Sequence, residues 1–115
     1  MAIKIMSGIL VTRDHPTGTA TIHFDEHEVT GTLGRAHKTR TIGPSGSFSS
    51  PPCKMVALLE IGFRESGEGR TRFPRSYSFN IDDTRLTEDF LEIRWEGVNG
   101  RIEEISYLII GEAPD

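Results

Sequence analysis

Thr19-Ala20-Thr21-Ile22-His23-Phe24 alternates without a break: Ala20, Ile22 and Phe24 fall on one side, Thr19, Thr21 and His23 on the other. A period of two belongs to a strand with one buried face. Working outward, Ile3 to Val11 reads as a strand closed by the turn cluster Asp14-His15-Pro16-Thr17-Gly18. Glu28 to Leu33 reads as a short continuation. Gly34 to Gly46 is polar, basic and carries Gly43-Pro44-Ser45-Gly46, so it reads as a loop.

Phe48 precedes Ser49-Ser50-Pro51-Pro52, and the two prolines force an extended approach to the next strand. Met55 to Phe63 is the most apolar stretch. Met55, Ala57, Leu59, Ile61 and Phe63 share one side, and Val56 and Leu58 add apolar groups to the other. That pattern predicts a central strand covered on both faces. Glu65 to Gly69 reads as a hairpin connection. Thr71 to Ile81 reads as a strand with Phe73, Tyr77, Phe79 and Ile81 in register, ended by a turn at Asp82-Asp83-Thr84. Phe90 to Trp95 and Ile102 to Ile110 complete the set around the turn Gly97-Val98-Asn99-Gly100. Six or more strands without helical periodicity predict an all-β antiparallel sandwich or barrel.

In the last strand Ile105, Tyr107 and Ile109 face one way and Ile102, Leu108 and Ile110 the other. Both faces need cover there. Either a neighbouring subunit supplies it, or the Gly34–Gly46 segment folds over the strand.

The chain has 115 residues, enough for one domain with its own core and no room for two. Hydrophobic residues make up 36% and charged residues 26%, which excludes a disordered chain and a helical membrane span. Seventeen acidic residues against thirteen Lys and Arg give a net charge of −4, against a general nucleic-acid binder. Lys4 and Gly8 interrupt the apolar N-terminal stretch, so no secretory leader is expected. The single Cys53 excludes an internal disulfide and a Cys-based zinc site; beside two prolines it reads as a packed thiol. His23 and His27 among Asp25, Glu26 and Glu28 have a spacing that suits a helix, not a strand and turn, so no metal is expected. No nucleophile with base and orienter is visible, and neither catalysis nor a cofactor is expected.

Phe48-Ser-Ser-Pro-Pro-Cys-Lys-Met-Val-Ala-Leu-Leu-Glu-Ile61, followed by Arg75, Phe90, Trp95 and the ending Ile105-Ser-Tyr-Leu-Ile-Ile110, resembles the H-type lectins. These are the domains of snail agglutinins and of the discoidin C-terminus. Ile5-Met-Ser-Gly-Ile9 looks like that family's opening strand, so the resemblance spans nearly the whole chain. It implies a six-stranded antiparallel β-sandwich, assembled as a homotrimer, binding galactose or N-acetylgalactosamine glycans in clefts between subunits. It further implies an extracellular or virion-associated setting. Arg75 matches the family's sugar-binding Arg, and Trp95 the Trp closing the penultimate strand. Glu96 stands where the family has His, and Arg101 where it has Tyr. Gly34-Arg35 match a loop whose acidic residue is replaced by Ala36 and His37.

Each candidate has a plainer role beside the functional one. Pro74 lets Arg75 emerge at a bulge; otherwise Arg75 is a partnered structural Arg. Trp95 shares parity with Leu91 and Ile93, so it is either a core Trp or an apolar wall for a sugar. Glu96 accepts from hydroxyls, or pairs with Arg94 or Arg101. A cleft gathering Arg35, Arg75 and Arg101 suits an acidic sugar, sulfate or phosphate. The expected function is therefore a non-enzymatic, lectin-like glycan-binding module with Arg75, Trp95, Glu96, Arg101, Arg35 and His37 at its site. The alternative is a structural or assembly protein, such as a phage-tail-type trimeric sandwich, that has lost sugar binding.

Overall fold

The computed structural model describes residues 2–32, 35–63 and 78–114. They form strands β1 (Ala2–Val11), β2 (Thr17–His23), β3 (Glu28–Gly31), β4 (Arg35–Ile42), β5 (Cys53–Phe63), β6 (Ser78–Leu86), β7 (Phe90–Val98) and β8 (Gly100–Ala113). All pairings are antiparallel, in two four-stranded sheets: β4-β1-β8-β5 (sheet A) and β3-β2-β7-β6 (sheet B). The all-β, two-sheet architecture agrees with the sequence. The expectation of six strands gives way to eight among the described residues.

The core forms where the inner parities of the two sheets meet. Met6 and Leu10 of β1, and Ile105, Tyr107 and Ile109 of β8, face Ala20, Ile22 and Phe24 and also Leu91, Ile93 and Trp95 of β7. Phe48, held by its N–H to Glu88 O (2.9 Å), plugs the sandwich and meets Phe24 edge-on at 5.0 Å. Two connections carry the chain from one sheet to the other side by side: residues 12–16 between β1 and β2, and Asn99 between β7 and β8. They are laced together by Thr12 N–H to Glu103 O (2.9 Å) and Gly97 N–H to Pro16 O (2.8 Å). Gly18 is required beneath this arch, because a Cβ there would drive into the Trp95 ring.

Five local expectations are corrected. The segment read as a loop contains β4, which pairs with β1 at the edge of sheet A. Edge strands are kept polar against aggregation, which is why Arg35–Ile42 lacks an apolar period. Glu28–Gly31 does not continue β2 but folds back on it as a hairpin. β6 runs through Asp82 and Asp83, with a register shift there, and the turn falls at Thr87 instead. Its hydroxyl accepts the N–H groups of Asp89 (3.1 Å) and Phe90 (3.2 Å). β5 is an edge strand among the described residues, not a central one, and it is not covered on both faces. Val56 packs against the core, while Met55 is 69% exposed and Ile61 38%. Finally, Ile102 joins Ile105 in the core, because register shifts opposite Glu60 reset the alternation. The expected hairpin at 65–69 and the side chains of Phe73 and Tyr77 lie outside the described residues.

Candidate functional site

Of the residues singled out from the sequence, Arg75 lies outside the described residues. Trp95 is fully buried, with its indole N–H donating to His15 O (3.0 Å), so within this chain it takes the core role and offers no ring face to a sugar. Glu96 is exposed on β7 in sheet B, between Thr17 and Asn80. Arg101 is exposed at the start of β8, opposite Gly62 of β5, and its Nε donates to Glu103 at 3.0 Å. Arg35 and His37 lie on β4, paired with Val11 and Ile9. Arg101 on β8 and the Arg35–His37 pair on β4 are thus separated by β1, two strand spacings or ~10 Å across sheet A. One chain does not bring them into one cleft.

The outer face of sheet A is the most unusual surface. Cross-strand partners put Ile42, Ile5, Ile110 and Cys53 in one row. Arg40, Ser7, Leu108 and Met55 form the next, and His37, Ile9, Ser106 and Ala57 the third. The fourth row is Arg35, Val11, Glu104 and Glu60. Ile42 is 49% exposed and Ile110 40%. Cys53 is exposed on this face, which corrects the expectation of a packed thiol. The outer face of sheet B is different: Thr19, Arg94 and Asp82 form one of its rows and Thr17, Glu96 and Asn80 another. An antiparallel sheet facing water should look like sheet B; sheet A instead carries Ile, Leu, Met and Cys side chains in its first two rows and charges in the last.

A third region was not anticipated. At the end of the sandwich away from the arch, Lys4 sits at a core position of β1 and is fully buried. Its Nζ donates to Phe24 O at 2.7 Å and to Gly46 O, and lies 5.3 Å from the centre of the Phe48 ring. Burial lowers its pKa, against an opposing pull from Asp25. Beside it, His27 closes the β2–β3 hairpin in a left-handed conformation (φ 53°). Its Nδ1 hydrogen-bonds Thr41 Oγ1 of β4 at 2.7 Å, and its Nε2 the Tyr107 hydroxyl of β8 at 2.8 Å. One ring therefore pins the sheet B hairpin to two strands of sheet A. Burial, then the charge of Lys4, lowers the His27 pKa, and burial pushes the Tyr107 phenol up. A cleft of about 390 Å³ opens here, lined by Asp25, Glu26, His27, Thr41 and Ser45 with Lys4 at its floor. The signal in the sequence was Lys4 itself, a lysine at core parity between Ala2 and Met6.

Among the described residues no group of three His, Cys, Asp or Glu comes together to hold a metal ion, and no helix is long and apolar enough to cross a membrane. Comparison of the chain with protein-family models, with curated proteins and with solved structures yields no match.

Proposed function

We propose that this β-sandwich is a non-catalytic recognition module that works as a homo-oligomer, a lectin-like trimer with glycan-binding clefts at the seams between subunits. The observation that supports the reading is the outer face of sheet A, whose rows of Ile, Leu and Met side chains have no cover among the described residues. Association covers that face, and it brings the margin bearing Arg35 and His37 to the neighbouring copy. A seam lined by arginines favours an acidic glycan over a neutral hexose. Several equivalent seams would multiply a weak single-site affinity.

A second reading, an assembly protein without sugar binding, is favoured by one observation: Trp95 is sealed in the core and supplies no platform. Light scattering for mass, with an array of neutral, sialylated and sulfated glycans, separates the two. An oligomer that binds acidic glycans, and loses them in Arg75→Ala, supports the first reading. An oligomer silent on the array supports the second, and a monomer removes both.

A further inference from the structure

Charge is not spread evenly along this acidic chain. Residues 29–59 hold four of the thirteen Lys and Arg and none of the seventeen Asp and Glu. Three of the four, Arg35, Lys38 and Arg40, fall on β4 together with His37. Protection of an edge strand asks for charge, not for one sign of it, so it leaves this run unexplained.

Elsewhere basic side chains are set against acids: Arg13 against Glu104 (3.2 Å), Arg101 against Glu103 (3.0 Å), and Arg94 opposite Asp82 in the β6–β7 ladder. On β4 they are not. The cross-strand partners of Arg35, His37 and Arg40 are Val11, Ile9 and Ser7, all uncharged. Among the described residues, the exposed side chains of His37, Lys38 and Arg40 make no hydrogen bond and no ion pair.

The local backbone concentrates them. Ser7 pairs with Arg40 and Ile9 with His37, so Lys38 and Thr39 together stand opposite the single Gly8. This bulge, with Lys38 in a left-handed conformation (φ 53°), fits an extra basic residue into the same length of ladder. From Arg35 to Arg40 is then two ladder steps, ~13 Å. Charges gathered over little more than one Debye length, ~10 Å at 0.1 M salt, act on a ligand together, while more distant acids are screened. Carboxylates are set back from the strand. Glu104, two strands in, is paired with Arg13, and Asp25 and Glu26 line the cleft beyond Thr41.

We infer that the β4 edge is a docking track for a sulfated polysaccharide, held chiefly through Lys38 and Arg40 and complete within one chain. The ligand class rests on the acidic-glycan reading above; the site needs neither a subunit seam nor Arg75. Sulfate oxygens accept from a guanidinium fork and from an ammonium alike. Two features set this ligand apart from other polyanions. The bulge breaks the regular spacing of the open edge, which disfavours an acidic peptide adding as a further strand. The exposed large apolar side chains among the described residues are Ile, Met and Val, with no aromatic ring on which nucleic-acid bases could stack.

The test measures binding of heparin, as the sulfated probe, by calorimetry across a salt series, with dextran, single-stranded DNA and polyglutamate alongside. Heparin should bind, with log affinity falling linearly in log salt, and dextran should not. Lys38→Asn/Arg40→Gln, in which Asn tolerates the left-handed backbone, should weaken heparin binding about 10-fold or more and reduce the salt slope by roughly two. Its thermal unfolding should stay that of the wild type, and Lys38→Arg should bind as the wild type does. Heparin bound by a monomer would support the track and remove the seam. Binding kept in the double variant but lost in Arg75→Ala overturns the inference and leaves the seam standing. An oligomer that ignores heparin overturns it and leaves self-association standing. DNA or polyglutamate held as tightly as heparin overturns the sulfated polysaccharide as the ligand.

Discussion

Lowering the pH from 8 to 5.5 should loosen the end of the sandwich where His27 joins the two sheets. The His27 pKa is held below its ordinary value, chiefly by burial and next by Lys4. Between that depressed value and ~6.5, the unfolded chain binds the proton that the folded chain refuses. The contribution is therefore complete above ~6.5 and is lost as pH falls through the window below it. One proton sets a ceiling of ~1.4 kcal/mol per pH unit. By pH 5.5, one unit below ~6.5, that ceiling is ~1.4 kcal/mol, and because His27 is only half-buried, solvent screening keeps the loss below it. For a domain of this size the ceiling corresponds to ~6 °C in Tm. The control is His27→Asn, because Asn tolerates the left-handed backbone but lacks the reach to Thr41 and Tyr107. At pH 8 the variant gives up two hydrogen bonds, worth ~0.5–1.5 kcal/mol each. Thermal unfolding of both proteins across the range should show their gap widest at pH 8 and narrower, by less than ~6 °C, at pH 5.5. Parallel profiles would refute the assignment, since the acid response would then belong to other groups.

Two further perturbations address the core and the surface. Gly18→Ala should lower stability by ~1–3 kcal/mol in chemical denaturation, because its methyl group meets the Trp95 ring; Gly18→Ala in a Trp95→Phe background should cost clearly less than in the wild type. Leu108→Lys places a charge in the middle of the outer face of sheet A, away from the core. Under the proposed self-association it should leave monomers in light scattering while the far-ultraviolet spectrum stays that of a β-protein.

How legible the fold was depended on whether one face of a strand was polar. Thr19–Phe24 and Phe90–Trp95 alternate against water, so parity alone places Ala20, Ile22, Leu91 and Ile93 on one buried side, where they lie, and of the two roles open to Trp95 the core one holds. Cys53–Phe63 defeated the same method. Both of its faces are apolar, and with nothing polar to mark the outside, alternation predicts cover on both and does not tell that Val56 packs on the core while Met55 is exposed. β4 failed for the opposite reason: its side chains are polar because its edge must not template strand pairing, and pairing with β1 is a backbone matter that composition does not record. The candidate site was less legible still. Lys4 and His27 are separated by 23 positions and meet only because the arch returns β2 over β1. No local pattern signals such a meeting.

The order of strands in sheet A also has a consequence during synthesis. β8 lies between β1 and β5, yet it is the last of the eight to leave the ribosome. Until its fourteen residues emerge, β1 and β5 have no common partner, and their apolar outward side chains have no finished sheet around them. Long-range pairing of this kind is slow and open to aggregation. Nascent chains stalled before Gly100 should therefore be the species that holdase chaperones retain, and release should coincide with completion of that final strand.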